Sequence, residues 1–148
     1  MKILLAVDDS KFSEAAVQAV LSQSRPQDAE VRVLHVVEPP SHLIGLEMVQ
    51  YDAEFEYVWK ALREQGKALV EKTIAKLRTA GFTVTPSLEE GDAQSRIIDV
   101  AKEWHADLIV LGSHGRKGLE RFLIGSVADG VASHADCSVE IVRIPSAR

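Results

Sequence analysis

Gly112-Ser-His-Gly115, then nine residues, then Gly125-Ser126, is the spacing with the most chemistry in this chain. It follows an apolar run, residues 107–111, that reads as a buried strand, and precedes residues 127–135, which read as a helix. A glycine loop between a strand and a helix start suits phosphate. Glycines let backbone N–H groups approach an anion closely, and the helix N-terminus adds partial positive charge. Asp8 and Asp9 close the first apolar run. A carboxylate there can accept from a ribose hydroxyl or a base amine, or hold a metal, or simply sit at a helix start. Paired with the glycine loop, Asp8 reads as the ligand-facing one and Asp9 as a cap or a solvent-facing residue. Arg116, Lys117 and Arg121 are placed either to neutralise phosphates or to stay solvated. Ser126 followed by Asp129 also resembles a capping box, which would spend the hydroxyl on the helix.

Several kinds of chemistry lack their signatures. There is no G-x-x-x-x-G-K-[ST], and the first strand-to-helix turn has no G-x-G-x-x-G. The nucleophile elbow G-x-S-x-G is missing, so Ser126 is not read as part of a triad. The five histidines, 35, 42, 105, 114 and 134, have no zinc-ligand spacing. His35 reads as a satisfied histidine inside a strand, and His114 as a residue whose backbone matters more than its ring. Cys137 lacks the basic helix-start setting of a nucleophilic thiol. What remains is a nucleotide site without an obvious general base or catalytic metal cluster, which points to binding.

These residues must be positioned by an alternating pattern of elements. Strands are expected at residues 3–7, 31–37, 82–88, 108–111 and 139–144. Pro86 interrupts the third and assigns it to a sheet edge. Ser10 or Ser13 caps a helix to about residue 24, with Phe12, Ala16, Ala19 and Val20 on one face. A long helix covers 53–80 and stops at Gly81. Another starts after Gly91-Asp92, with Ile97, Ile98, Ala101 and Trp104 inward. Such alternation gives an α/β fold, a parallel sheet covered on both faces, with ligands beyond the strand carboxyl ends where the winding reverses. Residues 38–51 read mainly as loop. The apolar residues of 39–58, among them Leu43, Ile44, Leu46, Met48, Val49, Phe55 and Trp59, serve core packing or a partner.

The chain has 148 residues, enough for one domain with a proper core. Its net charge of −5 argues against nucleic acid. The single cysteine makes an intramolecular disulfide impossible and fits a reducing cytoplasm. No apolar run is long enough to span a membrane.

The pieces Lys2-Ile-Leu-Leu-Ala-Val-Asp-Asp-Ser10, Val33-Leu-His-Val36, residues 107–115, Gly125-Ser-Val127 and Cys137-Ser-Val-Glu-Ile-Val142 occur in one order. Together they resemble the universal stress protein family over nearly the whole chain. G-x2-G-x9-G-[ST] resembles the signature of its ATP-binding branch. The resemblance implies a single domain over 1–148: a five-stranded parallel open sheet in the order 3-2-1-4-5, Rossmann-like, with helices on both faces. It implies ATP or AMP as ligand, with Mg2+ as a companion ion. Val7 and Leu111 would lie by the ligand, Asp8 would face the nucleoside, and Val36 would meet adenine through its backbone. Gly112 and Gly115 would line ribose and phosphates with Arg116 near. Gly125, Ser126 and Val127 would hold phosphates. It implies a stress or regulatory role with at most slow ATP hydrolysis, and a homodimer through residues 138–144. Three positions depart from the pattern: Ala128 where many members have a hydroxyl, Ser138 for a frequent proline, and Glu140 inside the last strand, where a charge discourages open-ended edge pairing and either disturbs the usual dimer or pairs with Arg143 or a partner's arginine. An adenylating or ATP-hydrolysing enzyme of the same superfamily and a nucleotide-free partner-binding module are the alternatives.

Overall fold

The structure, a computed structural model, describes residues 1–40, 53–116 and 123–145. Within them five strands alternate with four helices: β1 (Lys2–Ala6), α1 (Lys11–Gln23), β2 (Glu30–Val37), α2 (Ala53–Thr79), β3 (Thr83–Glu90), α3 (Ala93–Trp104), β4 (Leu108–Gly112), α4 (Ser126–His134) and β5 (Ser138–Val142). A short 3-10 turn, Pro26–Asp28, leads into β2. Every pairing is parallel, and the strand order is β3-β2-β1-β4-β5. The α/β architecture and the order expected from the sequence are both found.

Strand side chains alternate between two faces, and each face has its own core. Ile3 and Leu5 of β1 pack with Val17 and Val20 of α1 and with Val70, Ile74 and Leu77 of α2. Leu4 and Ala6 pack with Ile97, Val100 and Trp104 of α3 and with Ala128 and Val131 of α4. Ile3, Leu4 and Leu5 are all fully buried, which is why β1 reads as a continuous apolar run. From β1 the chain winds outward through β2 to β3, then crosses back to β4 on the other side. The reversal therefore falls between the carboxyl ends of β1 and β4, the place at which open α/β sheets generally bind ligands.

The boundaries shift from the sequence reading for local reasons. β1 stops at Ala6, one residue before Val7. β3 runs on to Glu90 because Val36 and Val37 of β2 extend far enough to pair with Glu89 and Glu90. Pro86 stands opposite Val33 on the edge strand, where its missing N–H faces outward. β5 ends at Val142, two residues short of Ile144, where the Ser113 N–H closes the ladder on the Val142 carbonyl at 2.8 Å. On α3 Ile97, Ala101 and Trp104 are buried as expected, joined by Val100, while Ile98 is only half-buried. Glu140 lies against Gln23 of α1, whose amide nitrogen, in the orientation that satisfies both groups, would donate to the carboxylate at 2.8 and 3.1 Å. Residues 43, 44, 46, 48 and 49 lie outside the described residues. Trp59 is buried on α2, stacked with Phe55 and covered by the Arg63 guanidinium.

Asp92 caps α3. Its carboxylate accepts from the Ser95 N–H at 3.0 Å and from the Ser95 hydroxyl at 2.8 Å. The backbone bond, then the hydroxyl bond, holds its pKa below the ordinary 3.8. A depressed carboxylate contributes stability above its unfolded pKa and loses it as pH falls through the folded one. Asp92→Ala is therefore expected to cost about 1 kcal/mol at pH 7. The difference from wild type should shrink as pH drops below 3.8, measured by urea unfolding at a series of pH values.

Candidate functional site

At the end of β1 the chain is held by a tight set of bonds. The Val7 N–H still reaches the Leu34 carbonyl at 2.8 Å. The Asp8 N–H donates to the Ser13 hydroxyl at 2.9 Å, and Asp8 Oδ1 accepts from the Ser10 N–H at 2.8 Å. Ser10 is the N-cap of α1, accepting from the Ser13 N–H at 3.1 Å. The sequence offers Ser10 or Ser13 as this cap. Ser10 takes it, and Ser13 instead anchors Asp8. Asp9 is not a cap: it forms an exposed ion pair with Arg116 at 2.8 Å, tying this turn to the loop after β4.

That loop approaches closely because it is built on glycine. A Cβ on Gly112 would sit 2.6 Å from the Phe12 carbonyl carbon and oxygen, so β4 can pass under the start of α1 only without a side chain. A Cβ on Gly115 would lie 3.2 Å from Asp8 Oδ2, so the backbone of Gly115 lies directly against the carboxylate. His114 is buried, its ring tilted on Phe12 with centroids 4.9 Å apart and its Nδ1 3.1 Å from the Ser113 hydroxyl. The ring is therefore a packing element of the loop and does not face solvent. The Gly125 N–H then bonds the Ser113 carbonyl at 2.7 Å, which fixes the entry to α4.

Gly125 is the N-cap of α4, without a side-chain bond to the helix, and Ser126 is its first helical residue. The capping-box alternative for Ser126 is overturned: a residue already inside the helix cannot bridge back as its cap. The first intrahelical bond runs from the Asp129 N–H to the Gly125 carbonyl at 2.9 Å. The N–H groups of Ser126, Val127 and Ala128 therefore have no intrahelical acceptor. The Ala128 side chain is buried in the second core, so this position offers its backbone N–H, and its methyl anchors the helix.

Val7 and Leu111 are buried beside this end of the sheet, and Val36 is half-buried at the end of β2. The structure thus brings Val7, Asp8, Leu111, Gly112, Gly115, Arg116, Gly125, Ser126, Val127 and Val36 to the carboxyl ends of β1, β2 and β4 and the start of α4. Lys117 and Arg121 lie outside the described residues. Two clefts among the described residues lie elsewhere. One of about 410 Å³ is lined by Trp59, Arg63 and Glu90, and one of about 260 Å³ by Ile98, Lys102, His105 and Cys137. Burial, then the neighbouring carboxylates, raises the Cys137 thiol pKa above its usual value, the reverse of nucleophile activation. Sequence reasoning missed the anchoring role of Ser13 and the bond from His35 to Val7. A polar residue between the apolar Leu34 and Val36 was the available signal for the latter.

The chain's relatives are consistent with this geometry. The model of the universal stress protein family matches residues 1–143. The universal stress protein MJ0531 of Methanocaldococcus jannaschii is 33% identical over 144 residues, spanning 97% of this chain and 82% of that protein. The solved structure of MJ0577 superposes with a TM-score of 0.84 at 27% identity, covering 99% of this chain and 97% of the other. A universal stress protein family protein of Arabidopsis thaliana, solved with AMP bound, shares the fold at a TM-score of 0.71 and 19% identity, covering 99% and 93%.

Two closely packed glycines should respond differently to substitution. Gly112→Ala drives a Cβ into the Phe12 backbone and is expected to cost about 1–3 kcal/mol. At Gly130, the glycine of α4, a Cβ meets only the end of the flexible Gln94 side chain. Gly130→Ala should therefore be neutral or stabilising by up to about 1 kcal/mol through helix propensity. Thermal and urea unfolding of both variants check the contrast.

Proposed function

The chain belongs to the universal stress protein family, and we propose that it binds an adenine nucleotide, ATP or AMP, where β1, β2 and β4 end. One observation carries the reading. The Asp8 carboxylate and the uncapped start of α4 are brought to one glycine loop at the point where the sheet's winding reverses. A nucleotide has both halves such a place can use, a hydroxyl-bearing ribose and an anionic phosphate.

In this reading Asp8 accepts from the ribose, and the backbone of Val36 meets the base beside Val7 and Leu111. Gly112 and Gly115 allow the sugar and phosphates to approach. The N–H groups of Ser126 and Val127, entered through Gly125, hold the phosphates, and the Ser126 hydroxyl is available to them. Arg116 gives its Nε to Asp9, which leaves its terminal nitrogens for phosphate. A similar fold in Arabidopsis holds AMP, which supports the ligand class.

Magnesium fits this site only in company. Asp8 Oδ1 is engaged with Ser10 and Asp9 Oδ1 with Arg116, so the turn offers a metal one further oxygen from each carboxylate, Asp8 Oδ2 and Asp9 Oδ2. That suits an ion carried in on phosphate oxygens, for which Mg2+ needs few protein ligands. The chain's role is regulatory, in the stress response, with at most slow hydrolysis. It acts in the cytoplasm as a homodimer through the edge of β5. Among the described residues, no helix is long and apolar enough to cross a membrane.

Isothermal titration with ATP, AMP and cyclic AMP tests the reading. Saturable binding to at least one is expected, weakened at least roughly tenfold by Asp8→Ala, the scale of a charge-assisted hydrogen bond. Absence of binding to all three at millimolar concentration overturns it.

A further inference from the structure

The β1–β2 ladder ends at Ala6 and Leu34 although β2 runs on to Val37. Even-numbered residues of β2 turn their polar groups toward β1: the Leu34 carbonyl takes the Val7 N–H at 2.8 Å. Odd-numbered ones turn toward β3: the Val37 carbonyl takes the Gly91 N–H at 3.0 Å. A parallel ladder would continue with the Val36 N–H donating to the Val7 carbonyl. The pairing instead stops at Ala6 and Leu34. The Val7 carbonyl accepts from His35 Nδ1 at 2.7 Å. A carbonyl oxygen can only accept, so Nδ1 carries the proton.

The ring occupies a place cleared for it. His35 is buried, and Gly66 of α2 faces it: a Cβ there would come 2.6 Å from His35 Cδ2 and 3.2 Å from Nε2. Glycine in the middle of a long helix costs about 1 kcal/mol relative to alanine. The only backbone ladder rung that His35 replaces is the one that would have consumed the Val36 N–H.

We propose that His35 is a positioning residue: by taking the Val7 carbonyl it stops the ladder one rung early and keeps the Val36 N–H available to an acceptor atom on the bound base. This rests on the nucleotide reading above and adds to it the group that prepares the base subsite. Gly66 belongs to the same device, since it keeps the ring in place.

Three variants test it. His35→Leu removes the donor and keeps bulk. His35→Asn puts an amide nitrogen near the Nδ1 position. Gly66→Ala leaves the histidine in the chain but pushes its ring. The first readout is hydrogen exchange at the Val36 amide in nucleotide-free protein, which His35→Leu and Gly66→Ala should slow at least about tenfold as the missing rung forms. The second is affinity for AMP and for ribose 5-phosphate, which lacks the base. AMP binding should weaken about three- to tenfold in both variants, the worth of one hydrogen bond, with ribose 5-phosphate unchanged. His35→Asn should restore both readouts. A general structural role would weaken the two ligands alike and would not slow Val36 exchange; either result overturns the proposal, as does failure of asparagine to restore. Wild-type protein that binds none of ATP, AMP and cyclic AMP overturns the nucleotide reading itself; whichever of them binds takes the place of AMP in the comparison. Normal wild-type AMP binding that neither His35→Leu nor Gly66→Ala weakens overturns this inference alone.

Discussion

The structure turns on how the central strand ends. β1 is buried on both faces, and its carboxyl end lies inside the sheet, where backbone polar groups must find partners. Within a few residues the chain meets that demand with four different groups: the Leu34 carbonyl, the His35 ring, the Ser13 hydroxyl and the Asp8 carboxylate. The turn is thereby fixed without extending the sheet. Everything near it takes its position from that turn, from Phe12 over Gly112 to Gly115 against Asp8.

The second half of the arrangement is electrostatic. α4 enters through Gly125 and presents unbonded N–H groups, while Ala128 and Val131 seat the helix in the core shared with α3. A helix start held this rigidly gives an anion fixed donors. The Asp9–Arg116 pair lies across the same opening and is well exposed, so it is weak and exchangeable. A ligand bound there would stabilise the folded chain in proportion to its concentration and affinity.

Much of this was legible in the sequence, because local pattern encoded it. Continuous apolar runs marked strands buried on both faces, and the glycine spacing after residue 111 marked the loop. Pro86 marked an edge strand. The misses have physical causes. Gly125 and Ser126 are both acceptable N-caps, and a one-residue shift between them moves Ser126 from capping to the first turn. The choice between Ser10 and Ser13 depended on where Asp8 would point. His35 and Val7 are far apart in sequence and meet only because their strands are neighbours. Ile98 and Val100 exchange burial because the inward stripe of α3 is set by its packing on α4 as well as on the sheet.

The central claim is that nucleotide binds at the shared end of β1, β2 and β4. The most direct measurement is amide chemical-shift mapping of isotope-labelled protein during titration with AMP. The account predicts the largest changes at Val7, Asp8, Val36, Gly112, Gly115 and residues 125–128, with little at Trp59 or Cys137. Changes centred on the Trp59–Arg63 cleft, with the amides of the glycine loop and the α4 start unmoved, would contradict it.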